Sequence, residues 1–320
     1  GIYAKFIQDS NAQNILTTTN SIITANNVNY LKGDFGLGTQ PCSLIRGKNG
    51  VHYFVDVTTG TQCRRSLDGI IPISQLYKGQ YYIKGLLTPY NKPYVHDGTG
   101  GAKSKIFGTY DFLEEQYICS TEAGRYQGIP INPYTWSFNE TRNGYASFYG
   151  ETGENRFQPE WMVGAEQVMY YWKDGELYRG NNTNENEYTN LLGVEYPSSI
   201  KVVFNKNVNT KKNFQDIQYQ SNRIWANPNV GDIATSVINP DTDIEQKSLL
   251  IEQDYEITDN IRYAALLRDL MGVGAVTNDI GMAEDYLNGN WIEINFVYRG
   301  NKPGWIFLPT VMSAVNQRNY

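Results

Sequence analysis

The residue types that most often carry chemistry are few in this chain and poorly spaced for it. The histidines are His52 and His96, and the cysteines are Cys42, Cys63 and Cys119. Three thiols at wide spacing fit neither a disulfide framework nor a zinc site; they read as reduced, half-buried strand residues made in a cytoplasm. The carboxylates Asp254, Glu256, Asp259, Asp269, Asp279, Glu284 and Asp285 are scattered. A glycosidase needs two of them facing one another, whereas acids so distributed usually sit in solvated turns. Residues 181–187 and 232–243 offer oxygen ligands for Ca²⁺, without the alternating spacing and sharp glycine of an EF-hand loop. Gly33, Gly36 and Gly38 follow a dinucleotide fingerprint only loosely, with no helix after them. There is no nucleophile elbow, HExxH, Walker loop or CxxC pair. The reading is therefore no catalytic residue, no cofactor-binding residue, no metal ligand and no cofactor. The remaining chemistry is recognition: Tyr90, Tyr94 and Tyr126, if exposed in loops, are rings on which a host glycan could stack.

The elements that position these residues are strands. In 134–179, Tyr134, Trp136 and Phe138 alternate with Thr135, Ser137 and Asn139, the period of a strand with one buried face. Asn143-Gly144 turns the chain, since both residues tolerate positive φ, and 145–149 return. Residues 168–172 and 176–178 form a second hairpin around Lys173-Asp174-Gly175. Pro159-Glu160-Trp161-Met162 reads as the connection between the two. Earlier, Val51, Tyr53 and Val55 lead into a turn over 56–60 and a return over 62–65, followed by Asp68-Gly69 and the apolar 70–73. Residues 105–120 repeat the plan around a turn at 111–115. Strand, turn, strand, turn is how propeller blades are commonly written.

Residues 181–189 (NNTNENEYT) are polar and unpatterned, which places a boundary there. Beyond it, strands are expected over 199–205, 214–221, 248–256, 261–269, 291–298 and 304–315, the pattern of a β-sandwich. The predicted fold is all-β: β-propeller-like blades with inserted loops over 1–190 and a β-sandwich-like domain over 191–320. Composition agrees, with 25 Tyr and 30 Gly in 320 residues, suited to pleated surfaces and turns. The net charge of −6 argues against tight nucleic-acid binding, which needs basic clusters. No stretch approaches the ~20 apolar residues of a membrane span.

Several long phrases occur in a fixed order: VNYLKGDFGLGTQPCSL (28–44), VHYFVDVTTGTQCRRSLDGIIPIS (51–74), IFGTYDFLEEQYICS (106–120), WSFNETRNGYASFYGE (136–151) and PEWMVGAEQVMYYWKDGELYRGN (159–181). They resemble the tail muzzle, or nozzle, proteins of crAss-like bacteriophages. SSIKVVFNKNVNTKKNFQDIQYQSNRIW (198–225), RYAALLRDL (262–270) and WIEINFVYRG (291–300) are similar to that family's C-terminal region. The resemblance implies a virion structural protein rather than an enzyme. It implies a homo-oligomeric ring, a hexamer, at the distal end of a short phage tail, channelling genome and ejected proteins. Partners would be tail hub, ring proteins and fibres, with transient passage of double-stranded DNA. It supplies no site residue. The rival readings are a β-rich host-glycan-binding adhesin and a propeller glycosidase. About four blade-like units precede the boundary, at the low end of the ~4–8 that close a propeller. We therefore expect the chain to be the C-terminal product of proteolytic processing, cut before Gly1, with the N-terminal fragment of its own precursor still bound. Two acidic stretches, 181–187 and 232–245, are expected to face the lumen.

Overall fold

The computed structural model describes residues 3–8, 14–19, 34–91, 105–149, 157–180, 189–207, 209–229, 231–239, 244–267, 286–300, 302, 304, 306–307 and 316–317. Most are strands in small antiparallel sheets, so the chain is all-β with short helical insertions. It divides into two compact units, Gly1–Asn181 and Asn182–Tyr320.

In the first unit, β1 (Tyr3–Gln8) and β2 (Asn14–Thr19) pair as a hairpin. Next, β3 (Ile45–Arg46), β4 (His52–Asp56), β5 (Thr61–Ser66) and β6 (Gly69–Ile71) form a four-stranded sheet in chain order. Two helices follow, α1 (Ile73–Leu76) and α2 (Gln80–Leu87). A second four-stranded sheet contains β7 (Ile106–Asp111) and β8 (Gln116–Thr121), then β11 (Thr135–Asn139) and β12 (Gly144–Tyr149), in the order β12-β11-β8-β7. The hairpin of β9 (Gly124–Tyr126) and β10 (Ile129–Ile131) is inserted between β8 and β11. Finally β13 (Trp161–Ala165), β14 (Val168–Lys173) and β15 (Glu176–Arg179) make a three-stranded sheet.

The hairpins share a local device. Asp56 Oδ1 accepts from the Thr58 and Thr59 amides at 2.8 and 3.3 Å, and Asp111 Oδ1 accepts from those of Leu113 and Glu114 at 2.9 and 3.1 Å. Asn139 Oδ1 accepts from the Arg142 amide at 2.7 Å. A short side chain thus closes each turn by mimicking a backbone acceptor. Each loop then reverses through a left-handed residue, Gly60, Glu115 or Asn143. Gly144 is not left-handed; it already belongs to β12. In the β14–β15 turn, Asp174 and Gly175 both take positive φ, 51° and 80°, as a tight two-residue hairpin requires.

Four expectations for this unit need correction. Only Pro159 and Glu160 of 159–162 are connection: Trp161 opens β13, which pairs along β14. The strand β11 is buried on both faces, not one, because it is central and a further layer covers its polar side. Ser120 and Thr135 bond one another on that side at 2.8 Å, and Thr135 Oγ1 donates to Phe157 O at 3.1 Å. Two helices were not foreseen; α2 buries Ile83 and Leu87, four residues apart and so on one face. The fourth is Tyr90, described with the site.

In the second unit, β16 (Asn190–Leu191) and β17 (Val194–Glu195) form a small hairpin. The remaining strands are β18 (Ser198–Phe204), β19 (Lys212–Phe214), β20 (Asp216–Ser221), β21 (Ile233–Asn239), β22 (Ile244–Ser248), β23 (Glu256–Thr258), β24 (Ile261–Ala265), β25 (Leu287–Gly289), β26 (Ile292–Tyr298), β27 (Ile306–Phe307) and β28 (Asn316–Gln317). Two sheets have four strands, β18-β26-β21-β22 and β23-β24-β20-β27, and a third runs β25-β19-β28. Ile217, Tyr219 and Ala264 from one four-stranded sheet share a core with Ile233, Ile294 and Phe296 from the other. The expected strand over 248–256 is instead a turn of 3-10 helix, Glu252–Asp254, because Asp254 Oδ2 accepts the Ile251 amide at 2.7 Å. The expected strand over 214–221 is two strands in different sheets. Much of 232–245, expected as an acidic loop, is the β21–β22 hairpin. Residues 181–187 lie outside the described residues.

Close packing in the first unit leaves no room at some glycines. A Cβ on Gly164 would meet Tyr110 O at 1.9 Å, where β13 crosses β7. Gly85, exposed on α2, has open space around it. Gly164→Ala is expected to cost about 1–3 kcal/mol through overpacking, and Gly85→Ala to gain roughly 0.5–1 kcal/mol in helix propensity. Urea unfolding of the two variants measures both; equal shifts would contradict the packing described.

Candidate functional site

The first unit contains a set of stacked tyrosines. Tyr110 and Tyr117 face one another across β7 and β8. Tyr53, from β4 of the other four-stranded sheet, stacks on both, with centroids 5.8 and 5.2 Å away. Tyr117 donates to Ser43 O at 2.8 Å. Tyr53 donates to Glu140, which also pairs with Arg64 Nε at 2.6 Å. Gly47 and Gly108 make the space: a Cβ on either would press into these rings at 2.7–2.9 Å. Trp136 Nε1, close by in the same core, donates to Gln62 Oε1 at 2.9 Å.

Beside the stack lies a groove of about 780 Å³ whose walls include Ile45, Tyr110, Phe112 and Val163, with Arg46 and Lys48 at its basic side. Lys48 pairs with Glu115. No lining residue is a carboxylate or a thiol; the groove offers shape, apolar surface and positive charge.

The residues singled out from the sequence do not converge. Tyr90 is 4% exposed and donates to Glu122 O, so it is no glycan platform. Tyr126 packs partly buried against the core, and Tyr94 lies outside the described residues. His52 is half-buried on β4, and His96 lies outside the described residues. Asp232 is occupied by the Asn229 amide at 3.0 Å and Asn295 Nδ2 at 3.1 Å. Asp269, Asp279, Glu284 and Asp285 lie outside the described residues. No group of three metal-ligating side chains gathers among the described residues, and no helix among them is long and apolar enough to cross a membrane.

An aromatic surface does exist, on the sheet of β13–β15. Trp161 faces Trp172, which faces Leu177. All three are exposed, the tryptophans at 42% and 43%. The signal was present, since Trp161 and Trp172 lie in register once β13 is recognised as a strand. Treating Trp161 as part of a connection hid it.

Burial dominates the titration behaviour. Cys63 and Cys119 are pushed up to about 12 by burial, which makes them inert rather than nucleophilic. Tyr110 and Tyr219 are pushed up to about 12, again chiefly by burial. Tyr53 is raised further, first by burial and then by its bond to Glu140. All these groups stay protonated in the folded state at pH values where the unfolded chain ionises. Their contribution is complete below the unfolded pKa values, ~8.5 for Cys and ~10 for Tyr, and is lost as pH rises toward the folded values. Phenolate absorbance is therefore expected to rise in two stages: exposed tyrosines near pH 10, buried ones only together with loss of the β-sheet signal. A single smooth titration with the fold intact would contradict this.

No curated protein matches the chain. Residues 186–269 match the family model described as Crassvirus muzzle protein C-terminal domain. The matched segment includes every strand from β16 to β24 and so supplies much of the second unit's framework. Through this domain the chain is similar to the muzzle proteins of crAss-like phages.

Proposed function

We propose that the protein is a structural subunit of the phage virion and not an enzyme. It stands in a hexameric ring at the distal end of a short tail, where genome and ejected proteins leave. The observation that carries this reading is the muzzle-domain match over 186–269. The chemistry supports it: the two thiols in the core are held protonated by burial, and Glu140 and Asp232 are spent on structural bonds. A net charge of −6 suits a channel wall, since each basic contact to a phosphate would add affinity and slow transit.

The architecture belongs to the proposal. Residues 1–190 would act as propeller-like blades and 191–320 as a sandwich-like domain. The consecutive order β3-β4-β5-β6 supports the first; the core shared by two four-stranded sheets supports the second. Among the described residues the blade-like part has two four-stranded sheets and one of three strands, fewer than the ~4–8 blades that close a propeller. A second fragment of the same precursor would supply the missing blades. Tail hub, ring proteins and fibres are the other neighbours.

One observation favours a second reading, host-glycan binding: the exposed Trp161–Trp172 pair, since flat indole faces suit the apolar faces of sugar rings. Quantitative mass spectrometry and electron microscopy of purified virions separate the two. The structural reading expects the protein at a fixed hexameric ratio in a ring at the tail tip. Absence from virions overturns it, and glycan-array binding lost in Trp172→Ala would then support the second.

A further inference from the structure

The chain's charge is held unevenly. Gly1–Asn181 contains 16 basic and 16 acidic residues, whereas Asn182–Tyr320 contains 11 and 17, so the whole net charge of −6 belongs to the second unit. Within the balanced unit, one sheet face is basic. Register places Arg46 opposite His52, His52 opposite Arg65, and Arg65 opposite Ile70, across β3 to β6. Arg46 and Arg65 are exposed, and neither forms an ion pair among the described residues. Arg64, on the opposite face, is the one that Glu140 neutralises. Arg46 and Arg65 flank His52 on this face with no carboxylate in the row, so two guanidinium groups are left to meet an incoming anion. Exposed apolar side chains flank it, Leu44 beside Arg46 and Leu67 in the turn after Arg65.

A surface of the opposite character lies in the second unit. Glu252, Asp254, Glu256 and Asp259 are exposed, and no lysine or arginine occurs anywhere in 248–261. None of the four forms an ion pair among the described residues. Arg262, next along the chain from this stretch, is buried and forms no ion pair with them among the described residues. Ile257 is exposed among the acids, and Ile251 and Ile261 are exposed on either side of them. The strand concerned, β23, is the end strand of its sheet.

We propose that the acidic edge around β23 of one copy docks on the Arg46–His52–Arg65 row of a second copy. Carboxylates meet guanidinium forks, which bind them bidentately, and the isoleucines lie against Leu44 and Leu67. The contact joins different patches of two identical chains, so it is heterologous and repeats by rotation. It names the contact between neighbours in the ring proposed above. Its test uses purified protein alone, so its failure is distinct from failure of the virion assignment.

The experiment is sedimentation velocity of the full chain at low and high salt. Wild-type protein should self-associate at low salt and do so less at high salt. Arg46→Glu/Arg65→Glu and Glu252→Lys/Glu256→Lys should each associate at least tenfold more weakly, with unchanged melting temperatures. An equimolar mixture of the two should associate again, because each reversed patch now meets its complement. If either variant melts early, the neutral pair Arg46→Gln/Arg65→Gln and Glu252→Gln/Glu256→Gln replaces them; their mixture should stop at a dimer, having one intact contact per pair. A monomeric wild type, variants that associate normally, or a mixture that fails to recover overturns the proposal. So does Arg46→Glu/Arg65→Glu that loses binding to a short DNA duplex while self-association is unchanged, which would assign the row to phosphates.

Discussion

A carboxylate, Glu140, holds together what the hairpins of the first unit bring near one another. It lies in the turn directly after β11, accepts the Tyr53 hydroxyl from β4 and pairs with Arg64 from β5. The two four-stranded sheets therefore meet through a polar contact at the rim of a ring stack. A half-buried charge of this kind is costly unless paired and hydrogen-bonded; here Arg64 and Tyr53 meet both conditions. The stack also needs absent atoms. A Cβ at Gly47 or Gly108 would press into Tyr53, Tyr110 and Tyr117 and keep them from stacking distance.

The second unit solves the same problem with a neutral hub. Asn227 is fully buried, accepts the Tyr255 hydroxyl at 2.8 Å and donates to Asn295 O. Tyr219 bonds both the carbonyl and the amide of Trp225, at 3.1 and 3.0 Å, and Trp225 stacks on Tyr298. Both units thus spend their polar aromatic side chains on fixing strands rather than on presenting a reactive centre. What they leave outside includes an indole pair, a basic row and an acidic edge.

Turn chemistry was the most legible part of the sequence. Asp56, Asp111, Asn143 and Asp174-Gly175 mark reversals through local forces, a short side chain closing on its own backbone or a residue that tolerates positive φ. Strand positions followed from alternation wherever one face was solvated. The reading failed where the outcome depended on a distant layer. Alternation in 135–139 gave no sign that Ser137 and Thr135 would be as buried as Trp136, because the sheet that covers them comes some 25 residues later. Tyr90 looked like a loop aromatic because nothing local announces that the Glu122 carbonyl will receive it. Asp232 looked like part of an acidic loop, yet the backbone after it enters β21 with Ile233 in the core. Of the surfaces now proposed to act, the basic row was not legible, since it depends on cross-strand register; the acids near β23 were visible only as scattered residues, and the indole pair only once Trp161 is placed on a strand.

The central physical claim is that the first unit's two four-stranded sheets are one cooperative body, coupled through Glu140. A double-mutant cycle of Tyr53→Phe and Glu140→Gln, read by urea unfolding, tests it most directly. The account predicts one unfolding transition in this unit and a coupling energy of roughly 0.5–3 kcal/mol, as for residues in one hydrogen-bonded network. Effects that add to within ~0.3 kcal/mol, or two separate transitions, would contradict it.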